Sequence, residues 1–337
     1  MQIDLIADGL TEPWGLAFLP DGRFMVTERD GRLKLFHGNQ SPPIEVTGLP
    51  EVYAEGQGGL LDVMIPSDFA ESREVWLSFA MPQGSGAGTA LGKGRLADDG
   101  TKLIGFETLF AAPPGGTGGR HFGSRIVEAP DGSVFLTVGD RGTGPDGLEA
   151  QDPKRAEGKV IHLNRDGTPA TQLDGALAGI FSLGHRNPQG AALDAAGWLW
   201  LVEHGAQGGD ELNQVASGRN YGWPVISYGR NYDDAKIGVG QARQGMEQPV
   251  LYWDPSIAPS GLAIYSGKLV PEWQGDFFVG SLKFDYIARL DPGAGYKEER
   301  LSAPETGRVR DVVEAPDGSI WFLSVYDGAV YRIAPPI

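Results

Sequence analysis

One pattern constrains the fold of this chain more than any other. An apolar strand, a turn built on Pro, Asp and Gly, and a second apolar strand recur six times along it. The copies are WGLAFLPDGRFMVTE (14–28), LLDVMIPSDFAESREVWLSFA (60–80), SRIVEAPDGSVFLTVGD (124–140), GAALDAAGWLWLVEHG (190–205), SGLAIYSGKLVPEWQGDFFVGSL (260–282) and RDVVEAPDGSIWFLSVYDG (310–328). Asp-Gly pairs supply positive-φ residues for tight hairpins, and the flanking runs are rich in β-formers. Six units over 337 residues give a spacing of roughly 55, close to the length of a propeller blade. A four-stranded blade buries both faces against its neighbours, so its strands read as short continuous apolar runs such as VFLTV and not as clean alternation. Closing the blades into a ring also protects sheet edges.

The expectation is therefore an all-β chain forming one six-bladed β-propeller over residues 1–337, with a pair of open sandwiches as the competing architecture. The opening QIDLIA and the closing AVYRIA are both strand-like, which suggests that the first strand completes the last blade. Helical periodicity is absent except for one short helix expected within GLEAQDPKRAEGKV (147–160). In a propeller the loops entering the blades converge on the axis, so residues far apart in sequence can share one site.

Composition excludes several function classes. No cysteine is present, which removes disulfides, thiolate metal sites and c-type haem attachment. The formal charge of −16 repels nucleic acid and anionic membranes, so neither is expected as a partner. No apolar run approaches the roughly 18 residues of a spanning helix, and the N-terminus shows no signal-peptide pattern.

Against this acidic background, cations stand on separate blade-entry loops: Arg186 with Asn187 in LGHRNPQG, Lys283 in SLKFDY, and Arg308 and Arg310 in TGRVRD. Converging cations are costly unless compensated, so a multivalent anion is expected among them. Arginine suits carboxylates because its planar fork binds them through two bonds. Phosphate is less suited: no Walker sequence is present, and the glycine-rich loop GGTGGRHFG leads into a strand, not a helix. That loop carries His121, one of five histidines, and Asp140 follows the next apolar run. EGQGGLLD adds Gln57, and EHGAQGGDELN adds Gly205 and Glu211.

These motifs, with NYGWPV and DPSIAPSG, run along nearly the whole chain. Together they resemble the soluble, pyrroloquinoline quinone (PQQ)-dependent sugar dehydrogenases, in the aldose sugar dehydrogenase branch of the glucose/sorbosone dehydrogenase family. The resemblance implies that His121 is a general base, that Asp140 orients it, and that Gln57, counted with the cofactor-binding residues, hydrogen-bonds the sugar. Arg186 and Asn187 would flank the quinone, with Arg186 stabilising charge on its reacting oxygen. Lys283, Arg308 and Arg310 would hold the three carboxylates of PQQ, with Tyr232 as a further contact. One Ca2+ would bind the main-chain carbonyls of Gly205 and Ala206, the latter a departure from a frequent proline. A second would use the Glu211 carboxylate and the Tyr221 carbonyl.

The implied reaction takes hydride from C1 of an aldose to the quinone, releases the lactone and passes electrons to an external acceptor. The location implied is periplasmic or secreted, and the chain is expected to be a monomer or homodimer. Two other classes compete: a protein-recognition propeller like that of Hedgehog-interacting protein, and a calcium-dependent propeller lactonase. Specificity is expected around Gln57, Tyr252 and Trp253.

Overall fold

The structure is a computed structural model and describes residues 2–38, 42–112, 118–144 and 147–334. Six four-stranded antiparallel sheets follow one another along the chain. After β1 (Gln2–Ala7), the first blade holds β2 (Pro13–Phe18), β3 (Phe24–Glu28), β4 (Arg32–Phe36) and β5 (Ile44–Val46). The second holds β6 (Leu60–Met64), β7 (Glu74–Gln83), β8 (Gly86–Leu96) and β9 (Leu103–Ala111). The third holds β10 (Gly123–Glu128), β11 (Val134–Val138), β12 (Lys159–Leu163) and β13 (Ile180–Leu183). The fourth holds β14 (Pro188–Leu193), β15 (Leu199–Glu203), β16 (Asp210–Val215) and β17 (Leu251–Trp253). The fifth holds β18 (Pro259–Ile264), β19 (Phe277–Ser281), β20 (Ile287–Asp291) and β21 (Lys297–Leu301). The sixth holds β22 (Val309–Glu314), β23 (Ile320–Ser324) and β24 (Ala329–Ala334), and β1 pairs with β24 to complete it.

The innermost strands β2, β6, β10, β14, β18 and β22 touch one another in that order, and β22 touches β2, so the ring is closed. The architecture is a six-bladed β-propeller, with the first strand completing the last blade. Each sequence repeat is the innermost strand of a blade and its neighbour. The second strands VFLTV, FMVTE, LWLVE and FFVGS are buried along their whole length. Their side chains fill the seams between blades, as Leu136 and Val138 do beside Trp76 and Leu91 of the preceding blade.

The Asp-Gly turns differ in one detail from the expected hairpins. In Leu19–Arg23, only Gly22 takes a positive φ (87°), while Asp21 accepts the Arg23 N–H at 3.1 Å. Asp131 and Asp317 cap Ser133 and Ser319 in the same way. The aspartate therefore serves as a cap and the glycine alone supplies the left-handed geometry. The short helix expected within 147–160 is a single 3-10 turn at Glu149–Gln151, and a four-residue α-helix occurs at Phe69–Ser72. Among the described residues, no helix is long and apolar enough to cross a membrane.

Candidate active site

Antiparallel strands alternate direction, so two sets of loops leave every blade at the same end. One set enters the next blade; the other joins the second strand to the third. The first set carries Gln57, His121, Arg186, Asn187 and Arg308, with Arg310 just inside β22. The second carries Arg29, Asp140, Gly205, Ala206, Lys283 and Tyr326. The topology thus brings these residues to one face of the ring.

A cavity of about 460 Å³ opens there. Arg29, Lys283, Arg308 and Arg310 contribute four cationic side chains to its wall, and no Asp or Glu is among its described lining residues. Gln57, Gln189 and His204 add polar atoms, and Trp14 and Tyr326 add aromatic rings. Arg310 is buried, and its guanidinium donates to Gln189 Oε1 at 2.8 Å. Burial, and the neighbouring charges of Arg308, Arg29 and Arg125, push its pKa down to about 9. It is still charged at neutral pH, and an incoming anion would relieve that strain. Arg308 takes a positive φ (48°), held by Asp285, which accepts its N–H at 2.8 Å. Lys283 is exposed at the rim, with its ammonium 5.1 Å from the Phe284 ring centroid.

Beside this cavity lies the histidine–carboxylate pair. His121 Nδ1 is 2.6 Å from Asp140 Oδ1, and the His121 N–H donates to Gln57 Oε1 at 2.7 Å. The two loops lie close because residue 139 is glycine: a Cβ there would sit 2.1 Å from the His121 carbonyl oxygen. The loop containing His121 also meets the one containing Gln57, whose N–H donates to Gly119 O at 2.6 Å. Gly115, Gly116 and Thr117 of the same glycine-rich stretch lie outside the described residues. Asp140 is fully buried and accepts two further bonds at 2.7 Å, from Gly142 N and from the indole Nε1 of Trp223. Burial pushes the Asp140 pKa upward, but His121, Arg186 and the Gly142 N–H outweigh it and hold the carboxyl below its usual range. Burial lowers the His121 pKa, and Arg186 adds to this; the bond to Asp140 opposes both without reversing them. A carboxylate accepting from Nδ1 leaves Nε2 as the basic nitrogen.

Arg186 reaches the carbonyls of His204 (3.3 Å) and Gly205, and its other terminal nitrogen lies 3.4 Å from the Tyr232 hydroxyl. The Asn187 amide nitrogen and Arg186 Nε are buried without a hydrogen-bond partner among the described residues. His204 connects the two halves of the site: it lines the cavity and lies within the fields of Arg186, Arg310 and His121. Its Nε2 donates to Pro259 O at 2.7 Å, and burial followed by the charge of Arg186 pushes its pKa down to about 3, so it stays neutral.

A second, water-sized cavity is lined by Glu211 and Tyr221 together with Gly205, Glu203 and Arg186. The carboxyl of Glu211 is raised well above its usual range by burial and by Glu203. Its side-chain donor is Asn213, at 3.0 Å. Among the described residues, no group of three or more His, Cys, Asp or Glu side chains gathers. Glu203 already accepts from His185, Asn213 and the Arg186 N–H, so a metal here would depend chiefly on the Glu211 carboxylate and on main-chain carbonyls.

Two expected specificity residues are not brought to the cavity. Tyr252 and Trp253 belong to β17, the outermost strand of its blade. Tyr252 stacks on Tyr228, and the buried Trp253 donates to Glu298 at 2.7 Å in the seam with the fifth blade. Conversely, Arg29, Trp14, Gln189, His204 and Trp223 were missed. Arg29 had a signal: TERDG ends its repeat where TVGDRG, LVEHG and GSLK end theirs, so the same turn in another copy pointed to it.

Fold and site together define a propeller with an axial pocket walled by cations beside a buried His–Asp pair. The sequence profile of the Glucose / Sorbosone dehydrogenase family matches residues 10–332. The chain is 40% identical over 348 residues to aldose sugar dehydrogenase YliI of Escherichia coli (strain K12), covering 99% of this chain and 93% of that one. It is 26% identical over 404 residues to quinoprotein glucose dehydrogenase B of Acinetobacter calcoaceticus, covering 95% and 84%. Among solved structures, it superposes with a TM-score of 0.91 on the apo-form of the soluble aldose sugar dehydrogenase from Escherichia coli (38% identity, 99% of both chains). It superposes with a TM-score of 0.81 on the PQQ-bound aldose sugar dehydrogenase from Streptomyces coelicolor (26% identity, 98% and 97%). The chain belongs to the glucose/sorbosone dehydrogenase family.

Proposed function

We propose that this protein is a PQQ-dependent aldose dehydrogenase that oxidises the C1 hydroxyl of the sugar to the lactone and passes electrons to an external acceptor. The observation that carries this reading is the cavity walled by cations, with no acid among its described lining residues, directly beside His121 and Asp140. A tricarboxylate fits that wall. A calcium-dependent lactonase would instead need carboxylates and amides around a central metal, and a recognition propeller needs no buried base.

When bound, PQQ supplies the two-electron acceptor for the hydride from C1, and calcium the Lewis acid that polarises it. Arg310, Arg308 and Lys283, joined by Arg29, hold carboxylates. Gln57 orients the sugar and, through its bond to the His121 N–H, keeps the base in register with it. His121 Nε2 takes the C1 hydroxyl proton, and Asp140 stabilises the imidazolium that results. Arg186 places positive potential over the reacting centre, with Tyr232 against its guanidinium. The Asn187 amide oxygen accepts from the Gly123 N–H at 3.2 Å, which leaves its Nδ2, without a partner among the described residues, as a donor for the cofactor.

Calcium takes oxygen ligands. The Gly205 carbonyl already accepts from the Arg186 cation, so it points where positive charge is held; Ala206 would add the neighbouring carbonyl. Glu211, buried beside Glu203 with no cation paired to it among the described residues, and the Tyr221 carbonyl are candidates for the second ion. An enzyme that hands electrons to an external acceptor suits an exported chain.

Reconstitution tests the proposal. Purified protein given calcium and PQQ together should reduce a dye with aldoses, chelation should abolish the activity, and neither addition alone should restore it. Failure with every aldose at saturating PQQ would overturn the assignment.

The lowered pKa of His121 sets a pH expectation. A base works only when deprotonated, so kcat/KM should hold as pH falls through the ordinary histidine value of about 6.5 and fail below it. An acid limb above that value would contradict this.

A further inference from the structure

The motif NYGWPV contains Trp223, a residue with no part in the roles assigned above. It lies in the excursion between β16 and β17, yet it is fastened to the third blade. Its N–H donates to Gly184 O at 2.9 Å, and its carbonyl accepts from Gln151 Nε2 at 2.8 Å. The ring is buried among Ala150, Ala206 and Ile237. Two groups of the site meet it there. The indole Nε1–H donates to Asp140 Oδ2 at 2.7 Å, opposite the oxygen that His121 uses. The Arg186 guanidinium lies 5.2 Å from its ring centroid.

We propose that Trp223 is a positioning residue that moderates the basicity of His121 through Asp140 and fixes Arg186 against its ring. The first half rests on reading His121 as the base. An indole N–H donates and never accepts, so the direction of its bond to Asp140 is fixed. Each donor stabilises the carboxylate anion and weakens its pull on the imidazolium. Without the indole, Oδ2 keeps no hydrogen-bond donor among the described residues, and protonated His121, with Arg186, carries more of the compensation for the buried charge.

The groups facing His121 are Asp140 from the β11–β12 loop, Arg186 from the β13–β14 loop, Arg120 from its own loop, and His204 from the β15–β16 loop. Of these, Asp140 raises the His121 pKa, while Arg186 and Arg120 lower it. Asp140 faces His121 and Arg186, with Arg141 beside it in the chain. Trp223→Phe removes one donor, keeps a ring beneath Arg186 and changes no charge.

Imidazole ¹⁵N–¹H spectra of the whole chain, with no cofactor added, read the coupling directly. His121 is assigned by the loss of its signals in His121→Gln. Trp223→Phe should raise the His121 pKa by about one unit, the scale of a hydrogen bond to a charged group, and leave His162 in place. After reconstitution, the acid limb of kcat/KM should move up by the same amount. An unchanged His121 pKa in folded Trp223→Phe overturns the proposal whatever the activity. A raised pKa in Trp223→Phe supports the coupling even if His121→Gln stays active, an outcome that would overturn only the base assignment. Should Trp223→Phe fail to fold, the wild-type chain still decides. The Trp223 indole N–H, which donates to Asp140 Oδ2, must shift as His121 titrates, and an insensitive indole overturns the proposal.

Discussion

Replacing His121 with Gln is expected to lower turnover by roughly 10²–10⁴-fold, the range for loss of a general base, while PQQ binding survives. Glutamine keeps a polar side chain of similar reach but cannot accept the C1 proton at neutral pH. The loss should appear in kcat at saturating sugar and PQQ, because proton removal is a feature of the transition state and contributes little to ground-state binding. Steady-state dye reduction at a series of PQQ concentrations separates the two effects. Near-normal turnover in the reconstituted variant would remove His121 from the chemistry.

The second large effect concerns the cations, and exposure should rank it. Arg310 is buried, with Gln189 as its side-chain partner, so on the proposed reading Arg310→Ala would leave a cofactor carboxylate unpaired in the interior. Truncating one member of a buried charged pair costs about 2–5 kcal/mol, or roughly 30- to several-thousand-fold in affinity. Arg308 is half-buried and belongs at the lower end of that range. Lys283 is exposed at the rim, where an ion pair is worth about 1 kcal/mol or less, so Lys283→Ala should cost only a few-fold. All three should recover most of their turnover once saturated, since carboxylate contacts hold reactant and transition state alike. Arg186→Ala should lose turnover even at saturation, because in the proposed mechanism its charge, held beside the Gly205 carbonyl, acts on the reacting centre.

The sequence disclosed the inner half of every blade and little of the outer half. Strands such as FMVTE and VFLTV are sandwiched between neighbouring sheets, so they must be apolar throughout and stand out as repeats. The outer strands carry no such demand: β21 reads KEERL with only Leu301 buried, and β5 and β17 are three residues long. The misplacement of Tyr252 and Trp253 has the same origin, because nothing in the local pattern marks β17 as the rim of its blade.

At the site, charged residues in glycine-rich loops were legible because an acidic chain gives cations few reasons to converge. Trp14 and Trp223 were not, since an aromatic residue in an apolar stretch looks the same whether it fills a seam or touches a carboxylate. Their roles emerge only from the meeting of distant segments: Trp223 and Asp140 are 83 positions apart.

The central claim is that the cavity over the propeller axis holds a trianionic quinone through Arg308 and Arg310. Equilibrium titration of PQQ, in calcium buffer, into wild-type protein, His121→Gln, Arg308→Ala and Arg310→Ala tests it without relying on turnover. Wild type and His121→Gln should bind with nearly equal affinity, Arg308→Ala at least about 30-fold more weakly, and Arg310→Ala most weakly of all. Wild-type affinity in both arginine variants would contradict the account.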